Sequence, residues 1–80
     1  MVYPRESNLM IRLSLCKPGK YKIVTIKPRS NRLQEMGFLI DKEIHLITNN
    51  SLGIRIRINN ATYLINEIAA LIIYVQPIGE

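Results

Sequence analysis

Gly53-Ile54-Arg55-Ile56-Arg57-Ile58-Asn59-Asn60-Ala61-Thr62-Tyr63-Leu64-Ile65 is the stretch on which the fold turns. Isoleucine and arginine alternate strictly from 54 to 58. In an extended chain, that period places every isoleucine on one face and both arginines on the other. Asn59-Asn60 follows, and asparagine tolerates the positive φ that a tight hairpin demands. Thr62 to Ile65 then reads as the answering strand. Upstream, Glu43 to Thr48 repeats the pattern, with Ile44 and Leu46 inward and Glu43 and His45 outward. Asn49-Asn50-Ser51 and Gly53 supply the turn between these two strands.

The flanks extend the same reading. Leu9 to Leu15 alternates as a strand and is followed by a Pro18-Gly19 turn. Lys20 to Lys27 is β-rich, but Ile23 falls on one face while Val24 and Ile26 fall on the other. This predicts a bulge, or burial on both faces of a curled sheet. Pro28 ends the strand. Ser30 to Met36 suits a short helix with Asn31 as cap and Gln34 at capping-box spacing. Two turns do not hold themselves in water, so this helix must dock through Leu33 and Met36. Gly37 can close it in the left-handed conformation. Asn66 caps a single helical turn through Ala70, and Leu71 to Ile78 forms a last strand stopped by Pro77 and Gly79. Residues 1–12 read as an N-terminal tail or extra strand, and 13–80 as one domain. The expected class is mainly β: a small antiparallel barrel of about five or six strands, with one short helix near 30–36 and a helical turn near 66–70.

Composition narrows the function. Eighty residues support a single domain with a thin core, which argues against a deep active site. A hydrophobic content of 48% excludes intrinsic disorder. No apolar run approaches the roughly 18 residues of a bilayer span, and Pro4 to Asn8 occupies the place of a signal core. A cytoplasmic protein without direct membrane insertion is expected. The net charge is +5, and it is uneven. Eight bases, from Arg5 to Arg32, face only Glu6 in residues 1–32, whereas the remainder is slightly acidic. Such asymmetry suits an anionic partner, whether nucleic acid, a lipid surface or an acidic protein face, or else a solvated solubilising face. The tyrosines and Phe38 are scattered and do not interleave with arginine in one segment, so the usual aromatic support for single-stranded nucleic acid is thin and nucleic acid is not the expected partner.

Reactive groups are few. There is no GxxxxGK[ST], no GxGxxG and no nucleophile elbow. Cys16 and His45 are the lone residues of their kinds. Cys16 can form no internal disulfide, and His45 lacks the second His or Cys that a specific metal site needs. Glu35, Asp41 and Glu43 read as hydrated surface acids. No catalytic residue, metal ligand or cofactor site is expected.

One constellation is more specific. Leu13-Ser14-Leu15-Cys16-Lys17-Pro18-Gly19, then Ile23-Val24-Thr25-Ile26, then Arg32-Leu33-Gln34-Glu35-Met36-Gly37, then Glu43-Ile44 and finally Glu67, Ala69 and Ile72 together resemble the FeoA family. The likeness covers about residues 13–76. The chain departs from the family pattern at Ile40-Asp41-Lys42, where a Pro-Gly pair is usual. It also carries Asn59-Asn60 where a glycine is usual, and asparagine meets the same backbone demand. The resemblance implies an SH3-like barrel without enzyme activity. It further implies an accessory role in bacterial ferrous iron uptake through the membrane GTPase permease FeoB.

A small barrel suits recognition of a protein segment. The candidate surface is the helix and the loop after it: Arg32, Leu33, Met36, Phe38, Leu39 and Ile40. Three consecutive apolar residues after a helix exceed what docking needs. Two alternatives stand beside this reading. One is a basic barrel that binds nucleic acid; the other is a stand-alone regulatory or sensor domain of FeoA type that binds a transition metal ion. The isoleucine-rich strands leave a homo-oligomer open.

Overall fold

The structure, a computed structural model, describes residues 10–78. The expected tail over residues 1–8, and Leu9 with it, lie outside the described residues, as does Gly79. Six strands form one antiparallel sheet. They are β1 (Ile11–Arg12), β2 (Gly19–Ile26), β3 (Glu43–Asn50), β4 (Gly53–Ile58), β5 (Ala61–Ile65) and β6 (Ile73–Pro77). Helix α1 (Asn31–Met36) joins β2 to β3, and α2 (Glu67–Leu71) joins β5 to β6. The spatial order is β1-β6-β2-β3-β4-β5.

The Ile-Arg alternation decides the inner face as expected. Ile54, Ile56 and Ile58 are buried, and Arg55 and Arg57 are exposed. Ile44 and Leu46 of β3 join them, with Glu43 and His45 outward. Leu13, Ile23, Phe38, Ile73 and Val75 complete the centre of a single core. No polar or charged residue is buried among the described residues, so the core carries no unpaired polar cost.

Both hairpins are tight. Asn50 pairs with Gly53 across a two-residue loop, and Ile58 pairs with Ala61 across Asn59-Asn60. Asn59 adopts φ 58°, the demand anticipated for it. The broken alternation of β2 is a register shift against β6 between Ile23 and Thr25, with Val24 as the extra residue. A second shift, at Ile47 of β3, has no sequence signature because Ile47 extends an apolar run.

Three expectations need correction. The first strand stops at Arg12, and Leu13–Leu15 is a 3-10 turn. Leu13 and Cys16 are both buried at the three-residue spacing of such a turn, while Leu15 is 75% exposed. Apparent alternation there reflects a different period. Second, Ser30 rather than Asn31 caps α1: its backbone is extended, and its Oγ accepts from the Leu33 amide at 3.2 Å. Third, the last strand begins at Ile73, because Leu71 is the final residue of α2, and Pro77 belongs to the strand it was expected to stop.

Asn49 locks that end of the molecule. Its Nδ2 donates to the carbonyls of Ser14 at 3.1 Å and Cys16 at 2.9 Å, tying the 3-10 turn to the β3–β4 hairpin. At the other flank Arg12 pins β1 on β6. Its Nε donates to the Tyr74 hydroxyl at 3.2 Å, and its guanidinium lies 5.6 Å from the ring centre.

Candidate functional site

Helix α1 is positioned by its two ends. Ser30 opens it, and Gly37, at φ 103°, closes it. The Phe38 amide donates to Leu33 O at 3.0 Å and the Gly37 amide to Gln34 O at 3.0 Å, the paired bonds of a Schellman closure. That closure turns Phe38 back under the helix beside Leu33. Both are core residues, at 0% and 4% exposure. Of the six residues expected to face a partner, Leu33 and Phe38 are therefore buried in the core. Met36 is half-buried, and Arg32, Leu39 and Ile40 are exposed.

The helix separates two grooves. On one side, a groove of about 420 Å³ runs between α1 and the start of α2, walled by Arg32, Met36, Leu64 and Ile68 over a floor of Ala69 and Ile72. On the other side, Ile26, Arg29, Leu39 and Ile40 border a groove of about 350 Å³. Both rims are apolar: Leu64 is 61% and Ile68 73% exposed on the first, and Leu39 is 47% and Ile40 63% exposed on the second. Exposed apolar side chains gathered around a groove mark a binding surface. Arg32 lends the first rim positive charge, and Arg29 the second.

Leu64 and Ile68 were not among the expected residues. Leu64 was legible: with Ile65 inward, alternation sends it outward, and it pairs with exposed Arg55. Ile68 follows the Asn66 cap, whose Oδ1 accepts from the Ala69 amide at 2.8 Å. Nothing in that short segment tells which face of the turn meets the core.

Cys16 and His45 are kept apart: the cysteine lies in the core and the histidine on the outward face of β3. Among the described residues, no three or more His, Cys, Asp or Glu gather where a metal ion could be held. Among the described residues two ionisable groups are perturbed, both chiefly by burial. Burial pushes the Cys16 thiol up, an effect the Tyr21 hydroxyl partly offsets. Burial, then the neighbouring Cys16, pushes Tyr21 up. The Tyr21 hydroxyl donates to Lys17 O at 2.6 Å, and the ionised form could not. For acids held in their neutral form, the stabilisation is present below the unfolded-state pKa and is lost as pH rises through the folded one. The melting temperature is thus expected to fall as pH climbs past the ordinary thiol and phenol ranges, less steeply in Tyr21→Phe. Alkylation of Cys16 near neutral pH should be slow in the folded protein and fast in denaturant. Rapid native alkylation would contradict the burial.

Comparison with known proteins gives a consistent picture. A family model described as the FeoA domain matches residues 11–77. No curated protein matches the sequence significantly. Among solved structures, an iron uptake regulatory protein (FeoA) superposes with a TM-score of 0.76 at 24% identity, covering 85% of this chain and 96% of the other. A FeoA-like protein from Clostridium acetobutylicum gives 0.77 at 22%, covering 89% and 90%. A manganese-dependent transcriptional repressor gives 0.77 at 17%, covering 86% of this chain and 42% of the repressor. At these identities the superpositions speak to the fold, which is the SH3-like one.

Proposed function

The chain belongs to the FeoA family, and from that premise we propose that it is a cytoplasmic accessory protein of bacterial ferrous iron uptake, acting by contact with the cytosolic part of a FeoB-type GTPase permease. The family is one of small accessory domains associated with ferrous iron uptake. The observation that carries the reading is the groove between α1 and α2. Its residues Leu64 and Ile68 are exposed and lie outside the core cluster, while Met36 beside them packs on the core and keeps part of its surface free. A partner segment that fits it is amphipathic, with apolar side chains for the groove and acidic ones for Arg32. No described helix is long and apolar enough to cross a membrane.

Affinity capture of this protein on the soluble cytosolic domain of its permease tests the reading. Retention at micromolar concentration is expected. Ile68→Asp and Met36→Asp should each weaken it by about tenfold or more, the scale of an interface anchor. Leu39→Asp, in the second groove, should leave it nearly unchanged. No retention of the parent protein, or equal losses in both grooves, would reject the site.

A further inference from the structure

We propose that the outward face of β2, β3 and β4, with the tip of the β3–β4 hairpin, docks on an anionic phospholipid surface. Lys20 stands directly opposite His45, and His45 directly opposite Arg57. Cross-strand neighbours lie about 5 Å apart, so a lysine, an imidazole and an arginine form a row across three strands. Arg55 continues the strip two residues along β4 toward the hairpin tip, and Lys17 precedes β2. All five side chains are exposed. Like charges gathered on one face repel one another, and an anionic counter-surface relieves that repulsion. The described acids nearest this strip are Glu43, which opposes Lys22 in the next row, and Glu67, in the cleft beneath the hairpin. Neither stands opposite a member of the strip.

The strip leads to two exposed leucines. Leu52, in the hairpin loop, is 89% exposed, and Leu15 is 75% exposed. The Asn49 amide bonds to the carbonyls on either side of Leu15, so the two leucines stand at the same end of the molecule. Cations that leave headgroup phosphates within reach, beside apolar side chains able to enter the headgroup boundary, are the chemistry of interfacial membrane contact. This contact is peripheral and differs from the insertion that run length argues against. Nucleic acid fits the face less well. Among the described residues Tyr21 is buried, Tyr63 packs against Phe38 and the Tyr74 ring is covered by Arg12 of β1, so none of these rings is set out for a base.

Co-sedimentation of the full chain with phosphatidylcholine vesicles, with and without a minority of phosphatidylglycerol, tests the proposal without any permease. Its failure would therefore leave the groove reading untouched. Each cation near such a surface is worth about fivefold in partition, so binding to the anionic vesicles at low salt should exceed that to neutral ones by about tenfold or more. Arg55→Glu with Arg57→Glu should abolish that preference, and Leu52→Ser should reduce it by about threefold. Lys27→Glu with Arg29→Glu makes the same change in net charge at the opposite end of β2 and should keep most of the binding. Circular dichroism confirms that each variant is folded. Absence of a preference for anionic vesicles overturns the proposal, and so do equal losses in the two charge-reversal pairs. Salt-dependent binding to a DNA duplex by a protein that ignores vesicles overturns it as well.

Discussion

Phe38→Ala is expected to cost the domain about 3–5 kcal/mol, whereas Leu39→Ala and Ile40→Ala should each stay within about 0.5 kcal/mol. The three residues are consecutive and all apolar, yet only the first is enclosed. Phe38 is 0% exposed, and its ring centre lies 6.2 Å from that of Tyr63, tilted at 55°. Removing it empties the space between α1 and the sheet, and a small domain has only about 5–15 kcal/mol in total. Leu39 and Ile40 are 47% and 63% exposed, so truncation leaves no cavity. Urea denaturation of the three variants reads the difference directly. Equal costs would mean that the turn after the helix packs differently.

That contrast shows where sequence reading succeeds and where it stops. Alternation along Ile54 to Ile58 is dictated by a period of two and a single buried face, so it was legible without a structure. The Asn59-Asn60 turn, the Gly37 closure and the Asn66 cap were legible because each meets a local backbone demand. The apolar triplet was not divisible in advance, because direction after a helix depends on the Schellman bonds, and those depend on what the helix rests against. The same holds for Leu13 to Leu15. Three residues fit a strand and a 3-10 turn equally well until Asn49, distant in the chain, selects one. The candidate surface was legible as a neighbourhood: Arg32 and Met36 stand on it, but Leu64 and Ile68 arrive from a segment some thirty residues away.

Asn49→Ala should destabilise the protein by about 2–3 kcal/mol, a large effect for a partly exposed polar residue. Its amide is donor to two carbonyls that lie in a turn with few other partners. Alanine leaves both without a donor, and water reaches them only if the turn loosens. Asn49→Asp should be worse, since a carboxylate cannot donate and would face two carbonyl oxygens. Hydrogen exchange is the discriminating readout. Amides of residues 11–16 should exchange faster in the variant, with the β4–β5 hairpin little changed relative to global unfolding. Uniform acceleration across the sheet would show that Asn49 acts on general stability and not as a tie.

The pairing of β1 with β6 sets Ile11 beside Val75. Entry to and exit from the fold consequently share one doorway, a strand's width across. A unit with that property can be spliced onto either end of another polypeptide, or threaded into one of its surface loops, without prying open the host or unravelling itself. In the manganese-dependent transcriptional repressor the same fold is matched over 42% of a longer polypeptide.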